Sequence, residues 1–295
     1  MTEQELFTLV GIRSESPAPA KRVRTWKDFP WISGIILGII VLCCLFAEVL
    51  MTKDPGYLDL KNYNVAPNGE FLFGTDTLGR DIFSGIWYGG RISLTIGFLA
   101  TAVSTAIAVV YGALSGVVPP WADTLMMRFT EIFLSVPGLL LVLFLQAILG
   151  SANVVTLSFV IGITGWATIA KVIRTEVRQL RGSEYVVASR CMGGKFFHIL
   201  RTHLIPNFIA SIMFMVVMNV RGAIGAESTL SFMGMGLPLE VISWGSMLSL
   251  SEKALLSGSW WIVLIPGGFL VTLLMCLTNI GNYLRKRANR KESNL

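Results

Sequence analysis

Apolar and polar residues run along this chain in long blocks rather than short alternations. Six apolar blocks stand out, at about residues 32–51, 93–117, 131–150, 153–170, 208–231 and 261–282. Each is close to the roughly 20 residues that a helix needs to cross a hydrocarbon core. Helices are the expected form, because lipid offers no partner for unpaired backbone groups. The pattern therefore predicts an all-α integral membrane protein with six transmembrane helices. Its divisions are a tail at 1–30, a first transmembrane helix at 31–51 and a loop at 52–92. A five-helix core follows at 93–283 and includes a basic loop at 171–206; a basic tail closes the chain at 284–295.

Composition supports the same class. Of the 295 residues 53% are hydrophobic and 14% charged, against roughly 25% charged in a soluble domain. Mean hydropathy is +0.66. The net charge of +6 does not point to nucleic acid, because the basic residues flank apolar blocks. Their distribution sets sidedness instead. With the N-terminus inside, eighteen basic residues fall on the cytoplasmic side: Arg13, Lys21, Arg22, Arg24, Lys27, Arg128, seven in the loop 171–206, and Arg285, Lys286, Arg287, Arg290 and Lys291. Five fall outside, namely Lys53, Lys61, Arg80, Arg91 and Lys253. Both termini are therefore expected in the cytoplasm. Cys43, Cys44, Cys191 and Cys276 have no disulfide or zinc spacing and read as small packing residues. The first apolar block reads as a retained span rather than a signal peptide. Residues 13–24 read as a disordered tail.

The loop 52–92 opens with turn-rich stretches, Lys53-Asp54-Pro55-Gly56 and Pro67-Asn68-Gly69. Beyond Asp76 or Thr77, either of which is a fair helix cap, Leu78, Ile82 and Ile86 recur every four residues, with Phe83 and Trp87 beside them. This spacing predicts an amphipathic helix lying at the outer interface, anchored by Trp87 and Tyr88. The bland alternative is an exposed loop.

The basic loop carries Lys171, Arg174, Arg178, Arg181, Arg190, Lys195 and Arg201. Ser183 is a good N-cap, and Glu184 in the first turn meets the helix dipole. Gly193-Gly194 is a stop signal. A second helix is expected from about Phe196 to Leu204, ended by Pro206. Arg174, Arg178 and Arg181 fall on one helix face. A short braced helix of this kind can transmit force from a partner. A basic loop resting on anionic headgroups fits the same residues.

The stretch Tyr185-Val186-Val187-Ala188-Ser189, then Gly193, then His203-Leu204-Ile205-Pro206-Asn207 resembles the signature loop of binding-protein-dependent ABC importer permeases. That signature reads E-A-A, three residues, G, nine residues, I-x-L-P. This chain has Val187 for the glutamate, Ser189 for the second alanine, His203 for the isoleucine and Ile205 for the leucine, with Gly193 and Pro206 in register. Phe73-Gly74-Thr75-Asp76, Leu78-Gly79-Arg80-Asp81 and Gly89-Gly90-Arg91-Ile92-Ser93-Leu94 resemble the C-type subunit of the dipeptide/oligopeptide/nickel subfamily. So do Asp123 with Met127-Arg128, Ser135-Val136-Pro137-Gly138, Gly165-Trp166, Glu227 with Leu230-Ser231-Phe232-Met233-Gly234-Met235-Gly236, Trp244-Gly245 and Pro266-Gly267. The resemblance spans about residues 30–285.

It implies a type I ABC importer permease fold in a bacterial cytoplasmic membrane. A second, homologous permease would complete the pathway. Two ABC ATPase subunits, which bind ATP and Mg, would receive a coupling helix. An extracytoplasmic solute-binding protein would deliver a di- or oligopeptide, or, as the alternative, nickel or a metal–chelator complex. The coupling residues so implied are Glu184, Tyr185, Val186, Val187, Ala188, Ser189, Arg190, Gly193 and Pro206. The departures at Val187 and Ser189 weaken any need for a glutamate there.

The chain itself is expected to bind no ATP and no metal. Gly193-Gly194-Lys195 lacks the other Walker A positions, which Ser189 and Phe196 occupy. His198 and His203 have no ligand partner at suitable spacing. Arg221 is costly within an apolar block, about 2.5–3.5 kcal/mol at a helix centre, and such residues usually face a cavity or a partner. Arg221 and Glu227 are therefore candidates for the translocation pathway, with a structural pairing to each other or to a partner permease as the alternative. Pro137 should kink the third span; Asp123 is placed to cap that helix, and Arg128 and Glu131 to pair one turn apart. A passive channel would not need the capped loop helix, and a membrane enzyme would need more clustered polar groups than Arg221 and Glu227.

Overall fold

The computed structural model describes residues 29–150, 152–250, 254 and 258–292. The expected disordered tail and the basic residues before Phe29 lie outside them, as does Lys253. The chain forms helices α1 (Trp31–Leu45), α2 (Ala47–Leu50), α3 (Ile82–Val117), α4 (Pro120–Ser135), α5 (Gly138–Leu149) and α6 (Val154–Leu180). Then come α7 (Glu184–Cys191), α8 (Phe196–Ile199), α9 (Ile205–Phe232), α10 (Trp244–Ser249) and α11 (Trp261–Glu292). Among the described residues every regular element is a helix. Among the described residues α3, α6 and α11 are each long and apolar enough to cross a membrane, and a fourth crossing arises if α4 and α5 are taken together. α1, at 15 residues, is shorter than a full span.

α3 is the central element. Ala100, Ser104, Ala108, Gly112 and Gly116 recur every fourth residue and are all buried. This stripe of small residues lets α6 approach closely, as in other membrane helix pairs. A Cβ at Gly112 would stand 2.5 Å from the Ala170 carbonyl oxygen. Three apolar clusters are arranged along α3. One joins it to α1, α9, α10 and α11 through Cys44, Ile86, Ile224, Trp244 and Leu273. A second, midway, brings in α5 and α6 through Val142, Leu157 and Val160. The third gathers α6, α7 and the start of α9 through Ile173, Val186, Leu204 and Phe208. The molecule thus has a basic end, carrying the loop 171–206, and a capped end, covered by residues 52–81.

Three expectations about helix boundaries need correction. First, no separate interfacial helix precedes the second span. α3 begins at Ile82, not near Asp76, and runs unbroken for 36 residues. Its N-cap is Asp81, whose side chain accepts the Ser84 N–H at 3.0 Å. The expected amphipathic stripe is real, but Ile82 and Ile86 are buried in protein rather than lipid. Asp76 instead closes a tight turn by accepting the N–H groups of Leu78 and Arg80, each at 2.8 Å. Burial pushes its carboxyl up while those two bonds pull it down. The cap is fastened further by the Trp261 indole N–H donating to the Thr75 carbonyl at 3.1 Å.

Second, the third span is not one kinked helix. α4 and α5 meet at 89° across Val136-Pro137. Proline at the start of α5 cannot donate to the preceding turn, so the ladder stops there rather than bending. Third, Pro206 does not end a helix. α8 passes through a π-helical turn at Leu200–Leu204 straight into α9. The Ile205 N–H donates to the Leu200 carbonyl; this wider turn leads into the first turn of α9, where a missing proline N–H is tolerated.

Candidate coupling face and buried carboxylates

At the basic end, α6 leaves the bundle with its arginines turned inward. Asp123 on α4 is 3% exposed and accepts four hydrogen bonds. Arg174 binds it in bidentate fashion, Nε to Oδ1 and Nη2 to Oδ2, both 2.5 Å. Arg178 Nη2 donates to Oδ2 at 2.7 Å, and the buried Ser115 hydroxyl of α3 donates to Oδ1 at 2.6 Å. Arg181 adds a bond from Nη1 to the Gly116 carbonyl at 3.2 Å. The three arginines do share a face, and that face is a clamp onto α3 and α4. Asp123 is not a helix cap: α4 starts behind Pro119 without a side-chain cap. Fork-shaped guanidinium binding is the strong, geometrically fixed form of a carboxylate contact. Arg128 and Glu131 pair at 3.2 Å on the exposed side of α4.

Two residues beyond Arg181 the chain turns. The Ser183 hydroxyl donates to the Leu180 carbonyl at 2.6 Å, and the Ser183 carbonyl accepts the N–H groups of Val186 and Val187 to start α7. α7 ends as its glycines require. Gly193 has φ +86°, and the Gly194 N–H returns to the Ser189 carbonyl at 2.9 Å, the closing bond of a left-handed helix stop. Of the candidate coupling residues, Val186 and Ser189 are buried against the bundle. Glu184, Tyr185, Val187, Ala188 and Gly193 are exposed. The side chains of Arg190, His203 and Pro206 lie outside the described residues. Met192, just past the helix, is 82% exposed. α7 therefore packs one face on the bundle and presents another, with apolar groups on it, to the outside.

At the other end of α9 the two pathway candidates separate. Arg221 is exposed on the helix surface, and among the described ion pairs none joins it to Glu227. Glu227 is 0% exposed, so the expectation that it lines an open pathway is corrected. Its carboxylate accepts hydroxyls from Ser93 (3.1 Å), Ser228 (3.3 Å), Ser231 (3.0 Å) and Ser243 (2.7 Å). The two charges are six positions apart on one continuous helix, which puts them on different faces. Ser115 and Ser243 carry no signal in the sequence that marks them as partners of these acids. The available signal was the acids themselves, since a carboxylate in an apolar block must find donors. Among the described residues no group of three His, Cys, Asp or Glu comes together.

Comparison with known proteins is decisive for the family. Residues 108–290 match the family described as binding-protein-dependent transport system inner membrane component. The chain belongs to this family. It is 36% identical over 271 residues to the dipeptide transport system permease protein DppC of Bacillus subtilis, covering 90% of this chain and 84% of that one. It is 34% identical over 280 residues to the oligopeptide transport system permease protein OppC of the same organism, covering 92% and 91%. The OppC protein of Haemophilus influenzae is 34% identical over 262 residues, covering 88% and 84%. Within such a multi-pass permease subunit, Asp123, Ser93, Glu227 and Ser231 fall in motifs that carry the family resemblance, whereas Ser115, Arg174, Arg178 and Ser243 lie outside them.

Proposed function

We propose that this chain is a membrane subunit of an ATP-driven importer of di- or oligopeptides, and that α7 is where ATPase subunits seat. The observation that carries the reading is α7 itself: a short stopped helix on the basic end, clamped at its root and exposing Val187, Ala188 and Met192. The basic residues around it favour a cytoplasmic position with both termini inside. Peptide cargo is favoured over nickel or a metal chelate by the relatives named for dipeptides and oligopeptides. A second, homologous permease completes the pathway, and an extracytoplasmic binding protein delivers the cargo. ATP and Mg belong to the ATPases.

Force applied to α7 has two routes. One runs back through the Leu180–Ser183 turn to α6, which the Asp123 clamp ties to α3 and α4. The other runs forward through α8 and the π-helical turn into α9, which carries Arg221. An arginine exposed on this helix is suited to attract a peptide carboxylate in the pathway, or an acidic group of the second permease. Normal uptake by Arg221→Gln in a stable complex would remove the first role.

The test of the whole reading is crosslinking in a Cys191→Ser background. Val187→Cys and Met192→Cys should each trap an ATPase subunit, and Val187→Asp should weaken that association at least tenfold while leaving the permease folded. Purified transporter that lacks ATPase subunits, or labelling of Met192→Cys from the outer side of intact cells, would falsify it.

A further inference from the structure

The serines around Glu227 do more than fill its acceptor sites. Three of them accept a backbone N–H while donating to the carboxylate. Ser93 Oγ accepts from Trp244 N–H at 3.2 Å. Ser231 Oγ accepts from Leu237 N–H at 3.3 Å. Ser243 Oγ accepts from Ser246 N–H at 3.0 Å, and the Ser243 N–H in turn donates to the Ser246 hydroxyl oxygen at 2.8 Å. Each hydroxyl has one proton. With that proton directed at Glu227, its lone pairs are left to hold the backbone. The carboxylate therefore orients the hydroxyls, and the hydroxyls hold the excursion between α9 and α10.

The surroundings leave no slack for another arrangement. A Cβ at Gly245 would stand 2.7 Å from Ser228 Cα, 2.8 Å from Ser231 Cβ and 3.0 Å from a Glu227 carboxylate oxygen. The Trp244 indole is buried and donates to the Ile86 carbonyl at 2.8 Å. Arg80 of the cap donates to the Leu239 carbonyl at 2.9 Å. Glu227 thus stands where three pieces meet: the start of the α3 span at Ser93, the end of α9, and the start of α10.

We propose that Glu227 is a positioning residue that locks segment 233–246 to α3 and α9, so that the capped end of the permease moves as one body when α9 is driven from the basic end. It touches no cargo. The lock is a property of this chain, whereas its use in transport rests on the importer reading above, so the experiment reads the two separately.

Hydrogen–deuterium exchange on the purified permease tests the lock. In Glu227→Ala, peptides covering 233–246 should exchange at least tenfold faster, while peptides from α6 and α11 keep their wild-type rates. Glu227→Gln keeps one acceptor oxygen and should recover part of the protection. A general structural defect would instead speed exchange throughout. Reconstituted with the second permease, the ATPases and a binding protein, the Glu227→Ala transporter should keep its basal ATP hydrolysis within twofold. It should lose at least fivefold in labelled dipeptide taken up per ATP, relative to a wild type active on that dipeptide. Should Glu227→Ala not survive extraction, Glu227→Gln and Ser243→Ala carry the same measurements, with smaller effects in the same segment. Unchanged exchange over 233–246, or loosened exchange with wild-type uptake per ATP, overturns the proposal. A wild-type assembly that takes up no dipeptide overturns the importer reading and leaves the exchange result to stand on its own.

Discussion

Among the buried carboxylates, Asp123 and Glu227 each join different helices, and they are held by different chemistry. Asp123, at the basic end, meets two guanidinium groups and one hydroxyl. Glu227, towards the capped end, meets four neutral hydroxyls and no cation. The arginines can serve Asp123 because the helix end lets part of each side chain stay in water: Arg174 is 22% and Arg178 37% exposed. Three helices, α3, α9 and α10, close around Glu227, and an arginine there would bring its own burial cost. Serine supplies donors in small volume. A clamp made with charge is strong and directional; a cage made with hydroxyls can also organise backbone.

This comparison can be broken by truncating each site in turn and following thermal unfolding in detergent. Asp123→Ala should have the largest effect, about 3–5 kcal/mol, because it leaves two guanidinium groups facing each other without a counterion. Glu227→Ala should cost less, about 1–3 kcal/mol, since it strands neutral hydroxyls that can turn to nearby carbonyls. The reverse order would show that hydroxyl cages, not charge, are the stronger device here. Arg178→Ala, which keeps the bidentate Arg174 contact, should cost about 1–2 kcal/mol. Arg128→Ala breaks an exposed pair one turn apart and should fall within about 0.5 kcal/mol of wild type. A larger loss there would mean that α4 depends on its outer face as well.

How much of this could be read beforehand varies with the interaction range. The α7 unit was legible because its signals are local: Ser183 and Glu184 at the start, Gly193-Gly194 at the end. The basic face of Arg174, Arg178 and Arg181 was legible from helical period, but its target was not, since Asp123 is fifty-one residues from Arg174. The cap is not legible in the sequence, because Ile82 and Ile86 look the same whether they meet lipid or protein. The sequence predicts a kink at Pro137 and a helix end at Pro206. One stands at an 89° turn and the other in the first turn of a helix that continues from α8, because the π-helical turn at Leu200–Leu204 carries the chain into α9 and no such turn joins α4 to α5.

Local signals in the chain establish that this is a membrane protein, where its apolar blocks lie, which end is basic and which family it resembles. Those follow from composition, block length and short motifs, all of which act within a few turns of chain. The tertiary structure alone decided that Asp123 clamps α6, that Glu227 is caged rather than open to a pathway, and that Arg221 stands apart from it. These depend on which helices become neighbours, and hydrogen bonds between residues more than a hundred positions apart, such as Ser93 and Glu227, exist only once that packing is complete.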